Sequence, residues 1–523
     1  MKNTTDQQHG DTPTATEIDN PTSVDLGSCD YLVIGAGAAS LAFVDTLLIE
    51  QPACRVIVVD KHAVPGGQWV DAYDFVHLHQ PSVLYGVQSK QLEGWWPSLL
   101  LRGKLPWKHR ASREELLDYY ARVCAGWPKD RVQFFFDCEY DFTREVGGDR
   151  VHRFTPRDGG QAFTVEVGVK LVNGVLGECK VPSQCPLPFP VSDVKVMTPN
   201  DLVASGRREA KGTKFLVLGA GKTGSDAIVY LLQDLKISPD DVSWVVSNDV
   251  WMLAREKALG WTQFTQALLD ADGDRAQALD ALLADGIVVG LDPLHHRPTK
   301  LRLSIIGRDE LTLARQVKDI VRRGRVTKIE GSVGAAEVSF DDDQPPLQMQ
   351  SEMGVVVVHC ASPGPFNDNT NVDIFASDTQ LNLNQIIIPP VCCSSAMLAM
   401  LESARRAGTL DSEFARTLTG ATTVEGALSV FKAYTPGSGE SDHDLLPIRQ
   451  LAIWLALLDQ DPKKGLAKLK ANRLSLMSIP GMKLKIYENL VDMVAKSAAL
   501  RTTPEDAEME NALLVKMEAL GGC

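Results

Sequence analysis

Cysteine patterns that indicate metal or redox chemistry are missing from this chain. The ten cysteines form no CxxC pair, and none lies between Gly67 and Cys124. Structural zinc sites and redox dithiols need thiols at short, regular spacing, so neither kind of site is expected. Cys392 and Cys393 are adjacent, which is too close for an ordinary disulfide. Scattered, unpaired cysteines of this kind indicate a reducing compartment.

An excess of positive charge and long apolar runs are missing too. The 523 residues carry 53 basic against 67 acidic side chains, a formal net charge of −14. Nucleic-acid and anionic membrane surfaces attract basic proteins, so neither partner is expected. No apolar run approaches the ~20 residues of a spanning helix. Residues 1–28 lack the basic and apolar regions of a signal peptide, and we expect a disordered tail and a cytoplasmic protein.

A glycine-rich turn between two apolar strands occurs near the start of the chain. The run YLVI at 31–34 leads into GAGAAS at 35–40, then a helical stretch and a strand that ends on Asp60. In such a βαβ unit Gly35 permits a tight turn and Gly37 lets the backbone approach a pyrophosphate. Ser40 is small enough for close helix packing, and Asp60 stands where an acid binds a ribose hydroxyl. The unit predicts a dinucleotide site.

The same pattern returns about 180 residues later. An apolar strand at 214–218 is followed by Gly219, Gly221 and Gly224, a helix and a further strand at 242–246. This strict GxGxxG predicts a second dinucleotide site of the same design. The pair Lys222-Thr223 resembles part of a phosphate loop, but Leu216 stands where that motif requires glycine. We therefore reject a phosphate-loop NTPase.

The ribose end of the second unit differs from that of the first. No acid ends its second strand directly, because Ser247 and Asn248 come before Asp249. An acid at this position favours NADH, so its absence favours NADPH without excluding NADH. Asn248 and Arg255 are the candidates for binding the 2′-phosphate.

Three further segments carry a resemblance to a known family. GGQW stands at 66–69, DFVHLHQPS at 74–82 and REELLDYY at 113–120. With the two glycine fingerprints they resemble the class B flavin-dependent monooxygenases, which include flavin-containing monooxygenases, N-hydroxylases and Baeyer–Villiger enzymes. The resemblance extends over about residues 30–400. It implies FAD at the first unit and NADPH at the second, with hydride passing between them.

The resemblance also implies which side chains meet the cofactors. His79, His77 and Gln80 are the catalytic candidates, because the family places a flavin-facing segment here. Asp378 is a candidate for a turn beside the flavin. Four residues are expected to contact FAD from the two N-terminal segments: Gly67, Gln68, Trp69 and Ser82.

The motifs and hydrophobic patterns predict an α/β protein with two Rossmann-type dinucleotide-binding domains and a helical C-terminal segment. We also expect a helix around Glu310–Arg323 and a hairpin formed by Val326–Ile329 and Ala336–Phe340. The predicted regions are a discontinuous FAD-binding domain over 29–205 and 330–440, an NAD(P)-binding domain over 206–329 and a helical extension over 441–523.

These features together predict an oxidoreductase. As the resemblance implies, NADPH would reduce FAD, and oxygen would then be transferred to nitrogen or sulfur of a small polar metabolite. Two alternatives stay open: a flavin reductase or dehydrogenase that passes electrons to a quinone or a protein, and a nucleotide-binding module that senses redox state or binds a partner. Small-molecule substrate and O2 are the expected partners, and a homo-oligomer is left open. No metal is expected.

Overall fold

The computed structural model describes most of the N-terminal 409 residues. It covers 23–92, 109–143, 150–177, 180–205, 212–257, 274–332, 334–362, 372–384 and 391–409, with 263, 266–267, 270–271 and 474. The predicted tail before residue 23 and the predicted helical extension over 441–523 lie outside the described residues, apart from position 474.

The described residues form α-helices and strands, and several of the strands follow one another without an α-helix between them. Numbered in chain order, the strands are β1 (Val24–Ile34), β2 (Val56–Val59), β3 (Val132–Phe135), β4 (Cys138–Tyr140), β5 (Val151–Pro156), β6 (Phe163–Asn173), β7 (Val191–Ser192), β8 (Lys195–Met197), β9 (Lys214–Leu218), β10 (Val242–Val245), β11 (Val250–Ala254), β12 (Val288–Val289), β13 (Lys300–Ile306), β14 (Asp319–Val321), β15 (Val326–Ser332), β16 (Ala335–Phe340), β17 (Leu347–Gln350), β18 (Val355–His359) and β19 (Gln380–Asn382). The α-helices are α1 (Ala38–Glu50), α2 (Gln68–Asp71), α3 (Arg113–Ala125), α4 (Pro199–Ser205), α5 (Lys222–Gln233), α6 (Arg275–Ala284), α7 (Arg308–Ala314) and α8 (Val391–Arg406).

The first sheet is formed around the N-terminal βαβ unit. Its strand order is β3-β2-β1-β6-β5-β4, and β19 also pairs with β6. Strands β1 and β2 are parallel, and their apolar residues from Tyr31 to Ile34 and from Val56 to Val59 are buried. Burial on both faces explains why they read as continuous apolar runs. Parallel strands end at one edge of a sheet, so the turns that contain Gly35 and Asp60 lie side by side.

The second sheet repeats this arrangement with different strands. Its order is β14-β10-β9-β18-β8, and every pairing is parallel. Helix α5 follows β9 through the glycine turn, as α1 follows β1. The two sheets confirm the α/β fold class with two Rossmann-type units.

The strand pairing corrects the predicted domain limits. Strand β18 was assigned to the first domain with residues 330–440, but it pairs with β9 in the second sheet, and β8 pairs with β18. An apolar strand does not reveal its partner from its own residues, so the sequence could not assign it. Strand β1 also begins at Val24, inside the predicted tail, because Val24 pairs with Phe163 of β6.

Other elements were predicted with mixed success. The β15–β16 hairpin is confirmed as an antiparallel pair. The helix expected around Glu310–Arg323 is wrong in its second half: α7 ends at Ala314, and Asp319–Val321 forms β14 at the edge of the second sheet. The chain returns to the first domain through β19, which pairs with β6, and α8, which shares a hydrophobic core with α1. No helix in the described ranges is long and apolar enough to span a membrane.

Candidate dinucleotide sites and the cavity between them

One cavity of about 1530 Å³ is lined by both glycine turns. Its lining includes Gly35, Gly37 and Asp60 from the first unit and Gly219 and Gly221 from the second. Both fingerprints that the sequence identified therefore open on one space.

The first glycine turn has the backbone that a pyrophosphate requires. Gly35 has a φ of +99°, and its N–H donates to the Val59 carbonyl at 2.7 Å. Gly37 directly precedes α1 and has no side chain, so it does not cap the N–H groups of the first helix turn. A Cβ on Gly37 would meet only the Gly67 Cα, at 3.5 Å, and would otherwise point into open space. The turn fits the phosphates of FAD.

The GGQW segment lies directly against this turn. Gly67 has a φ of +56°, and a Cβ there would come 2.7 Å from the Cα of Gly37. The Gly66 N–H donates to the Ala36 carbonyl at 2.9 Å. Because the two backbones touch, this position requires glycine for both its conformation and its space. The GGQW segment thus packs against the glycine turn that leads into α1.

Gln68 and Trp69 also line the cavity, as predicted for residues near FAD. The Trp69 indole N–H donates to the Tyr85 hydroxyl at 2.8 Å, and the two rings meet edge to face. Ser40 has a different position: it is fully buried, and a methyl group on Gly174 would collide with its hydroxyl oxygen. Ser40 therefore allows close packing of α1 on the sheet, as its small size predicted, and does not line the cavity.

Asp60 is held by two partners from the first unit. Its carboxylate accepts hydrogen bonds from the Ala36 N–H and from the backbone N–H of His62 at 2.8 Å. The His62 ring bridges Asp60, at 2.7 Å, and Asp71, at 2.9 Å. Hydrogen bonding to Asp60 raises the pKa of His62 above its ordinary 6.5, with a further contribution from Asp71. The sequence motifs did not identify His62, although it follows Asp60 by only two positions.

The DFVHLHQPS segment places its two histidines in different surroundings. His79 lines the cavity, whereas His77 is exposed and its Nδ1 lies 3.1 Å from the Phe75 carbonyl. Burial and the positive charge of Lys222 lower the pKa of His79 to about 4. His79 is therefore a neutral hydrogen-bonding group at neutral pH. The structure retains it as a catalytic candidate and separates His77 from the cavity.

Ser82 was predicted to contact FAD, but it is not part of the described cavity lining. Its hydroxyl donates to the His109 carbonyl at 3.2 Å and accepts from the Ala111 N–H at 2.8 Å, so it holds two chain segments together. Gln80 is half-buried beside His79 and is not part of the described cavity lining. Asp378 is exposed and affects Arg405 electrostatically, while Leu383 lines the cavity in its place.

The second glycine turn repeats the geometry of the first. Gly219 has a φ of +120°, its N–H donates to the Val245 carbonyl, and its carbonyl accepts from the Trp244 indole at 2.9 Å. Gly221 directly precedes α5, and an added Cβ there would meet no atom within 4 Å. A Cβ on Gly224 would collide with the Gly219 carbonyl, so this glycine allows the close turn. The arrangement fits a second dinucleotide.

A buried group of charges joins the two units beside the cavity; we call it the boundary cluster. It consists of Arg110 from the first unit and Lys222, Asp226, Arg255 and Glu310 from the second. Lys222 pairs with Asp226 and, at 3.3 Å, with Glu310. Three positive side chains around Glu310 hold its pKa well below the ordinary range against the effect of burial. The sequence patterns gave no sign of this cluster.

The segment that contains His79 is attached to this cluster. Tyr73 donates to Asp226 at 2.8 Å, and Phe75 stacks on Tyr230 with ring centroids 4.1 Å apart. The Arg255 Nε donates to the His79 carbonyl at 2.7 Å. Contacts to the second unit thus position His79, which lines the cavity that both glycine turns also line.

Arg255, which was predicted to bind the 2′-phosphate, has other partners in the structure. Its guanidinium is bound by Glu310 at 2.6 Å and by the His79 carbonyl, and it is outside the described lining of the cavity. Asn248 does line the cavity, together with Ser247 and Lys300.

The described residues contain eight cysteines, all free, and no group of three or more His, Cys, Asp or Glu side chains that could hold a metal. His295 makes an exposed pair with Asp292 at 2.9 Å. His359 and Cys360 line the cavity at the end of β18, a position the sequence motifs did not identify.

Known proteins resemble this chain both by sequence and by structure. No protein-family model matches the chain. Uncharacterized proteins of Mycobacterium tuberculosis and Mycobacterium bovis are each 33% identical over 321 residues, which covers 58% of this chain and 55% of the relative. The chain spans about half the length of these curated relatives.

Solved structures share the fold at low identity. A polycyclic ketone monooxygenase from the fungus Thermothelomyces thermophila matches with a TM-score of 0.51 and 13% identity, over 92% of this chain and 90% of that one. A cyclohexanone-bound cyclohexanone monooxygenase matches with a TM-score of 0.51 and 15% identity, over 85% and 99%. The chain thus has the two-dinucleotide-domain fold of the class B flavin monooxygenases, as its motifs predicted.

Proposed function

We propose that this chain is an FAD- and NADPH-dependent monooxygenase. The observation that carries the proposal is the single cavity that both glycine turns and His79 line. Hydride transfer requires the nicotinamide and the flavin to meet in one space. Two fingerprints and a neutral imidazole that line one cavity support that arrangement.

The residues of the first unit fit FAD. Gly35 and Gly37 leave room for the pyrophosphate at the start of α1, and Asp60 is oriented by Ala36 and His62 for a ribose hydroxyl. Gln68 and Trp69 line the adjoining wall. Gly219 and Gly221 fit NADPH in the same way at the start of α5.

With FAD held at Gly35 and Gly37 and NADPH at Gly219 and Gly221, the two cofactors would supply hydride transfer and the activation of O2. Overall, NADPH, a proton, O2 and substrate give NADP⁺, water and a substrate that carries one oxygen atom. His79 is neutral and can donate or accept a hydrogen bond in the cavity. Its carbonyl is held by Arg255, which fixes the backbone of this segment.

For the substrate we propose oxygenation at nitrogen or sulfur of a small polar metabolite. This choice rests on the family resemblance of the N-terminal motifs. The named activities of the similar structures make cyclic ketones the necessary comparison. The reducing compartment that the unpaired cysteines indicate supports a cytoplasmic enzyme.

Stopped-flow spectroscopy of the yellow full-length protein tests the proposal. Anaerobic NADPH should bleach the flavin, and O2 should then give a transient near-ultraviolet absorbance before the oxidised spectrum returns. Candidate amines, sulfides and cyclic ketones should be tested for consumption of the transient and for gain of one oxygen atom by mass spectrometry. His79→Ala should shorten the transient about tenfold or more, the scale of one lost hydrogen-bonding group.

His77→Ala is the matched control, because this ring is exposed and outside the cavity. It should leave the transient unchanged. Single-phase reoxidation that a quinone outpaces, with no oxygenated product, would assign the chain to the flavin reductases. Absence of bound flavin in a folded protein would leave only the nucleotide-binding module.

A further inference from the structure

Lys300 lies at the ribose end of the second glycine unit. It pairs with Val250 across parallel strands β13 and β11, which places the two backbones about 5 Å apart. The Thr299 N–H donates to the Asp249 carbonyl at 3.2 Å. The start of β13 is therefore bound to the turn that follows β10, where a Rossmann unit holds the adenosine ribose.

The acid in this turn is neutralised. The Asp249 carboxylate accepts from Arg322 through Nε at 2.8 Å and through the terminal nitrogen at 3.2 Å. This bidentate pair occupies both oxygens of the carboxylate and cancels its charge. Asp249 is thus a weak source of repulsion for a phosphate.

The positive charge of Lys300 has no partner among the described residues. Its ammonium makes no hydrogen bond or ion pair there, in contrast to Arg255, Arg322 and Lys222. Lys300 lines the cavity together with Ser247, Asn248 and Ser304. A cation beside hydroxyl and amide groups is a suitable set of ligands for a phosphate monoester.

We propose that Lys300 binds the 2′-phosphate of NADPH and makes the second site prefer NADPH over NADH. The inference rests on the proposed function and adds the residue that selects the cofactor. Asn248 and Ser247, from the turn after β10, flank the phosphate, and Arg255 has no part in its binding. Lys300 is a specificity-determining residue that the glycine fingerprint does not include.

Calorimetric titration of the FAD-loaded protein with two fragments tests this assignment. The probes are 2′,5′-ADP, which carries the 2′-phosphate, and 5′-AMP, which lacks it. The wild-type protein should bind 2′,5′-ADP about tenfold or more tightly than 5′-AMP, the scale of one charge-assisted hydrogen bond. Lys300→Met should remove most of this ratio and leave the affinity for 5′-AMP unchanged, and Lys300→Arg should restore part of it.

Two further variants make the result specific. Lys318→Met removes the same charge from an exposed position outside the cavity and should leave the ratio unchanged. Arg325 is a second cation that lines the cavity, so a loss confined to Arg325→Met would overturn the assignment. Equal binding of both fragments by the wild-type protein would overturn it as well. If NADH and NADPH then reduce the flavin equally well, the proposed oxidoreductase function is retained. If neither reduces the flavin, that function is rejected too.

Discussion

His62 determines the orientation of the carboxylate that ends β2. Its ring is largely buried and lies between Asp60 and Asp71, within hydrogen-bond distance of both. A protonated ring donates to both carboxylates, whereas a neutral ring can donate to only one. The position of Asp60, and with it the ribose site, therefore depends on a proton.

Replacing His62 should reveal this dependence on pH. The folded-state pKa of His62 is raised, so its stabilisation is complete below the ordinary value of 6.5 and is lost as the pH rises through the raised value. The free energy of unfolding of wild type should exceed that of His62→Gln by about 1 kcal/mol near pH 6, allowing for solvent screening. The difference should shrink towards alkaline pH. Urea unfolding across this range measures it.

His295→Gln provides the matched comparison. His295 also pairs with an aspartate, Asp292, but its side chain is 77% exposed. This substitution should change stability little at any pH. A constant difference between wild type and His62→Gln across the whole range would contradict the role of the bridging proton.

The success of sequence-based prediction depended on how local each residue's role is. Gly35, Gly37 and Asp60 follow one another along a single βαβ unit, so their spacing alone predicted their place at the cavity. Arg255 was predicted from the same local logic to bind the 2′-phosphate, but spacing alone did not reveal that Glu310 binds its guanidinium from a later helix. Ser82 was predicted to contact FAD, and its spacing likewise did not reveal its hydrogen bonds to a distant segment.

At the scale of elements, the boundary cluster joins α5 and α7 to the first unit. Glu310 accepts from Lys222, Arg255 and Arg110 and also from the Gly307 N–H at 2.7 Å. Its side chain is only 8% exposed. A buried carboxylate with three cationic partners cannot be neutralised without leaving those cations uncompensated.

Glu310→Gln should therefore lower the free energy of unfolding by about 3–5 kcal/mol, the usual cost of breaking a buried ion pair. The matched control is Asp280→Asn, which also removes one carboxylate from an arginine pair. Asp280 and Arg297 are roughly half exposed, and their loss should cost no more than about 1 kcal/mol. Urea unfolding measures both. Equal effects of the two substitutions would show that the cluster does not stabilise the boundary.

The elements that sequence patterns mispredicted are those completed by distant partners. Residues 310–323 have apolar residues at a spacing that suggests one helix. However, Asp319–Val321 gains its backbone hydrogen bonds by pairing with β10. Strand β18 has the apolar run of any buried strand, and only its pairing with β9 assigns it to the second sheet. Local propensity predicted that these segments are ordered, and tertiary pairing decided their type and place.

At the scale of the whole molecule, two copies of one design face a shared cavity. Gly37 and Gly221 occupy equivalent positions, each at the first residue before a helix and each with extended backbone. A methyl group at Gly37 would meet only ordinary contact with Gly67, and one at Gly221 would meet nothing. Each glycine can therefore be changed to alanine without a clash within the protein itself.

This symmetry predicts a double dissociation. Gly37→Ala should weaken FAD binding, because its methyl group would occupy the space of the pyrophosphate. The expected loss is about tenfold or more, the scale of a typical overpacking cost. Gly221→Ala should leave the protein yellow and reducible by dithionite, but slow its anaerobic reduction by NADPH. Flavin content and stopped-flow bleaching measure the two effects. Gly168→Ala is the control, because it makes a similar 3.5 Å contact outside the cavity and should change neither. Normal flavin content in a folded Gly37→Ala protein, or loss of flavin from Gly221→Ala, would show that the two sites have been assigned wrongly.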